Sequence, residues 1–133
     1  MTENEFVDLV CREFPDIAEE VRDQDDLLYM QVGVFATRVQ QMVDEGDRPA
    51  LKRAVHLAQR TRNEGDANLR NAISVAFLEH LTFNGATGER ALAMLTSDLR
   101  QEWQKLQSFM ASMDKHPGNP AKAPPKRTRS RRR

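Results

Sequence analysis

The chain has one cysteine, Cys11, so no disulfide can close within it. That composition suits a reducing compartment. Six glycines and six prolines among 133 residues leave few breaks in regular structure. No apolar run approaches the ~20 residues of a membrane span. The start, Met1-Thr2-Glu3-Asn4-Glu5, is acidic and resembles neither a secretory leader nor a transit peptide. A cytoplasmic protein without membrane attachment is the expectation. No alternating segment is long enough for a strand. There is no glycine-rich phosphate loop, because Thr82–Gly88 follows a helical pattern and not a strand.

The usual reactive groups are also sparse. His56, His80 and His116 stand far apart, and none has a second ligand at helical spacing, so no metal site is expected. Glu79 and His80 are adjacent and therefore point to different helix faces. Cys11 lies beside an apolar stripe, with no base placed to activate it. These absences argue against an enzyme and against a cofactor, and in favour of a protein that works by binding.

What is present is sorted charge. Residues 1–114 hold all 20 acids but 12 of the 20 Lys and Arg, a surplus of eight negative charges. Residues 115–133 hold the other eight cations and no acid, so the zero net charge conceals two opposite halves.

The acidic part reads as a succession of helices. Thr2 with Glu5 three residues later is a capping-box signature, followed by the stripe Phe6, Leu9, Val10 and Phe14, which Pro15 ends. Ile17 to Val21 adds a short turn. Leu28, Val32, Phe35, Val39 and Met42 recur at steps of three and four, predicting a helix from about Leu27 to Asp44. Asp25 or Asp26 is the expected cap, and Gly46 the terminator. Asp47 and Pro49 open the next helix, which stops near Gly65, and Asp66 opens another that is apolar on most sides and so belongs at the centre. Residues 84–88 read as a loop. Leu92, Leu95, Leu99, Trp103, Leu106, Met110 and Met113 then form a stripe that Thr96-Ser97 can split in two, with Ser97 as the second cap. Trp103 and the six methionines read as core, with an adaptable binding groove as the alternative. The Glu-Gly-Asp turns at 45–47 and 64–66, and the similarity of Leu51–Ala58 to Leu69–Ala76, suggest two related helices packed antiparallel. The expected fold is all-α: one domain over residues 1–113 with five to seven antiparallel-packed helices, bundle-like or repeat-like. A disordered Pro/Arg/Lys-rich tail is expected over 114–133.

Two binding surfaces follow. Alternating helix direction places residues 23–26 and 62–66 on one edge, which gathers Asp23, Asp25, Asp26, Glu64 and Asp66, with Arg60 and Arg62 nearby. Such an edge would steer a basic partner. Helix capping is the competing explanation for Asp25 or Asp26 and for Asp66. The tail offers Lys126, Arg127, Arg129, Arg131, Arg132 and Arg133 to phosphates, though no aromatic is interleaved for base stacking.

The run Asp26-Leu27-Leu28-Tyr29-Met30-Gln31-Val32-Gly33-Val34-Phe35, the two Glu-Gly-Asp turns, Asn71–Leu81, and Leu99 with Trp103 carry a resemblance. Over residues 5–110 the chain resembles small all-helical bacterial proteins of unassigned function, some of which look like immunity proteins of polymorphic toxin systems. The resemblance implies the fold and, more distantly, neutralisation of a cognate toxin by direct binding. An accessory protein that contacts nucleic acid through its tail is the alternative.

Overall fold

The structure, a computed structural model, describes residues 1–114. The expected disordered tail, and with it the six cationic candidates from Lys126 to Arg133, lies outside the described residues. By internal contacts the chain divides into two units, Met1–Trp103 and Gln104–Arg133.

The architecture is all-α, with no strand among the described residues. Helix α1 spans Glu3–Glu13, and a 3-10 turn at Pro15–Ile17 leads into α2, Ala18–Asp23. Helix α3 covers Leu28–Glu45, α4 Arg48–Glu64 and α5 Ala67–Ala72. The last continues through a π turn, Ile73–Phe77, and a 3-10 turn, Leu78–His80. Helices α6, Gly85–Met94, and α7, Ser97–Asp114, complete the order, so the late stripe forms two helices.

Most termini follow the sequence. Thr2 and Glu5 form the full capping box of α1. Asp47 accepts from the Ala50 amide and Asp66 from the Leu69 amide, which satisfies donors that the first turns of α4 and α5 leave open. The two Glu-Gly-Asp turns differ in kind. Gly46 closes α3 at φ +69°, a left-handed conformation that suits glycine. Gly65 is extended, and glycine is needed there for space: a Cβ would meet the Thr61 carbonyl oxygen at 2.6 Å.

Three expectations about helix starts need correction. Neither Asp25 nor Asp26 caps α3; Leu27 holds the cap position without a side-chain bond. Residues 85–88 are not loop but the first turn of α6, which the positive φ of Gly85 allows to begin abruptly. The cap of α7 is Thr96, whose Oγ1 accepts from the Leu99 amide, and not Ser97.

The core of the first unit forms where α1, α3 and the π turn meet. Phe35 stacks on Phe77 at 5.1 Å between centroids and meets Phe6 edge-on at 6.1 Å, with Phe14 at 5.8 Å. Val32, Val39, Met42, Leu69 and Ile73 are fully buried around them. As the sequence implied, the segment from Leu69 to Leu81 is central, with Leu69, Ile73, Phe77, Leu78 and Leu81 all buried. Trp103 is half-buried and not plain core. Its indole N–H donates to the Leu81 carbonyl at 3.0 Å, and its ring meets Phe83 edge-on. Gln40 holds the segment after Leu81 by bonding both the amide and the carbonyl of Thr82.

Candidate functional site

The turn between α2 and α3 positions the strongest cluster. After Asp23 ends α2, the Leu27 amide donates to the Gln24 carbonyl at 2.9 Å. Closing that tight turn puts Asp26 at φ +63°, the one non-glycine residue with positive φ among the described residues. The turn carries Leu27 outward, leaving it 54% exposed, and Met30, one helical turn on, is 55% exposed. Tyr29 between them is partly exposed. Two large apolar side chains thus stand in water beside acids. Asp23, Asp25 and Asp26 are exposed and have no hydrogen bond or ion pair within the described residues.

Asp25 and Asp26 share an open groove of about 510 Å³ with Glu3 and Asp8 of α1. Arg22 is its one cation and sits 3.3 Å from Asp8. Four carboxylates against one arginine leave the groove strongly negative. Its floor is Val7 and Gln31. The buried Gln31 amide donates to the Val21 carbonyl, which ties the end of α2 to α3 and fixes the groove wall.

The N-terminal end of α1 links this cluster to the turn at 62–66. The Met1 ammonium donates to the Glu64 carbonyl at 2.7 Å. Glu3 accepts from the Asn68 amide at 3.0 Å, and Asn71 donates to the Tyr29 hydroxyl at 2.6 Å. The two predicted halves are therefore joined through α1, but their carboxylates differ in state. Glu64 is paired with Arg60 at 3.0 Å and lines a neighbouring groove with Asp8. Asp66 is occupied by its cap. Arg62, expected near the edge, is drawn to Asp98 at 2.8 Å. The available acids are Asp23, Asp25 and Asp26. Glu3 joins their groove although the sequence reading did not select it; its place in the first turn of α1, beside the capping box, was the signal available.

Two carboxyls are held below the usual range, and both have structural causes. The Thr2 backbone amide, reinforced by its hydroxyl, lowers Glu5, and the Arg62 guanidinium lowers Asp98 with help from Gln59. Burial raises the Cys11 thiol, which points to the Ala18 carbonyl. His80 is exposed on a separate groove beside Met30 and Gln40. Among the described residues, no three His, Cys, Asp or Glu side chains are grouped to hold a metal ion, and no helix is long and apolar enough to cross a membrane.

The chain belongs to the family described as Domain of unknown function (DUF7674), whose sequence model matches residues 7–111. No curated protein and no solved structure matches it.

Proposed function

We propose that this member of the DUF7674 family is a non-catalytic protein-binding module of the immunity type, acting in the cytoplasm to neutralise a cognate toxin domain by covering a basic surface. The observation that carries the reading is Leu27 and Met30 standing exposed beside the uncommitted carboxylates of Asp23, Asp25 and Asp26. In such an arrangement the apolar pair supplies most of the affinity, as central anchors do, and the acidic rim supplies encounter rate and selection for a basic partner. The resemblance to immunity-type proteins supports the same reading.

The product of the neighbouring gene is the natural bait. The full chain should capture it, and Leu27→Ala with Met30→Ala should weaken capture by about tenfold or more, mainly through faster dissociation. Asp25→Asn with Asp26→Asn should slow association and flatten its dependence on salt. Asparagine is the right replacement at residue 26, because it tolerates the left-handed backbone while removing the charge. A complex indifferent to all four changes, or no complex, overturns the proposal.

A further inference from the structure

The acidic body contains a region of opposite sign. Helix α4 carries Arg48, Lys52, Arg53, Arg60 and Arg62 against a single acid, Glu64, near its end. Lys52, His56 and Arg60 follow one another at four-residue steps and so share one face. Arg12, in the last turn of α1, lines the same open groove of about 420 Å³, with Leu9 and Leu57 among its apolar lining. Arg12 and Lys52 are separated by forty positions in the sequence, so only the packing of α1 against α4 brings them together.

Not all of these groups are committed. Arg53 is drawn to Glu13 at 3.6 Å and lies over the Phe14 ring, and Arg60 pairs with Glu64. Arg12, Lys52 and His56 are exposed and have no hydrogen bond or ion pair within the described residues. Arg48 and Lys52, like charges at four-residue spacing, disfavour the helix slightly. Cations that served only to offset the body's acidity would lie against its carboxylates. Here Glu13 and Glu64 are already taken by Arg53 and Arg60, and Glu5 and Asp8, which line the adjoining groove with Arg12, are bonded to the Thr2 amide and to Arg22.

We infer that this groove is a second docking surface, and that it receives an acidic amphipathic helix from a partner protein. Charge complementarity selects an acidic occupant, and the Leu9–Leu57 lining selects one with an apolar stripe. The stretch from Lys52 to Arg60 is about 12 Å long, the reach of two helical turns. A nucleic-acid strand fits less well. Its phosphates would run past the groove onto a body with a surplus of eight negative charges, and the groove lining holds no Phe, Tyr or Trp for stacking. The groove shares no lining residue with the one that holds Asp25 and Asp26, and the inference does not depend on the proposal made for them.

The test uses the full chain and a synthetic helical peptide of about five turns, with leucine along one face and glutamate flanking it. Titration calorimetry should show saturable one-to-one binding that weakens with added salt. The triple variant Arg12→Ala, Lys52→Ala, His56→Ala should bind about tenfold more weakly, with thermal unfolding unchanged because all three side chains are exposed. A peptide with lysine in place of glutamate should not bind at this groove, and Asp25→Asn with Asp26→Asn should leave affinity for the acidic peptide intact. Failure of the chain to bind the acidic peptide, or equal binding by the triple variant, overturns the inference. Oligo-dT bound more tightly than the peptide, and lost in the triple variant, would also overturn it, assigning the groove to nucleic acid.

Discussion

Asp26 carries both a conformational cost and a candidate role. At φ +63° it holds a backbone conformation that costs an L-residue about 1–2 kcal/mol, less for aspartate than for most. Asp26→Gly should therefore stabilise the fold by up to about 1 kcal/mol, read as a higher urea midpoint at unchanged slope. If the carboxylate recognises a partner, the same variant loses binding while it gains stability. A gain in both would remove Asp26 from the interface. Asp98 behaves in the opposite way. Its carboxyl is lowered by Arg62, so it contributes stability that is present above the ordinary carboxylate pKa and is lost as the pH falls through the lowered one. Half of that side chain is exposed, which limits the contribution to roughly 1 kcal/mol. Asp98→Asn should cost about that much at neutral pH, and the difference from the parent should shrink on acidification below the carboxylate range. Cys11 gives a third residue-level check. Burial holds the thiol protonated, so a thiol-specific reagent should modify the folded chain slowly and the urea-unfolded chain rapidly.

At the scale of elements, capping and recognition can be separated. Asp47 and Asp66 each accept from a first-turn amide, and replacing either with alanine should cost about 1 kcal/mol. Asp25 makes no such bond, so Asp25→Ala should change stability by less than about 0.5 kcal/mol. Paired denaturation curves check this, and a loss at Asp25 equal to that at Asp66 would return it to a structural role. The same contrast shows what could be read in advance. The inner face of α3 was legible because Leu28, Val32, Phe35, Val39 and Met42 keep one phase throughout a helix that is regular from end to end. The caps at Asp47 and Asp66 were legible because a glycine precedes each aspartate and an apolar-periodic helix follows. The turn at Gln24–Leu27 was not, because two adjacent aspartates before a helix look like caps, whereas the chain closes a backbone-bonded turn there and turns their side chains out. Nor was the change from α5 to a π turn at Ile73. Leu69–Ala76 echoes Leu51–Ala58 in residue type, yet the second stretch leaves the α-helical form at Ile73, in the turn whose Phe77 stacks on Phe35, forty-two positions away. The basic groove was hidden for the same reason, since Arg12 and Lys52 meet only after α1 packs on α4.

Over the whole molecule, the sorted charge sets two surfaces in competition for the function. On the proposed reading the acidic edge would act on a basic protein, whereas the last eight residues, six of them cationic, would offer phosphate contacts without reading bases. The two can be separated in the full chain by changing Lys126, Arg127, Arg129, Arg131, Arg132 and Arg133 to glutamine. Any affinity of the parent for single-stranded RNA should fall steeply with salt. Each phosphate contact contributes a slope of about −0.7 in a double-logarithmic plot, so six contacts set a limit near −4. The glutamine variant should lose that affinity and its salt dependence together. Capture of the protein partner should then remain, because Leu27, Met30, Asp25 and Asp26 are untouched, and it should even strengthen slightly for a basic partner no longer repelled by the tail. RNA affinity that survives the change would detach nucleic-acid binding from the tail. Loss of the protein partner in the same variant would place recognition in residues 126–133 and leave the acidic edge as a solvated surface.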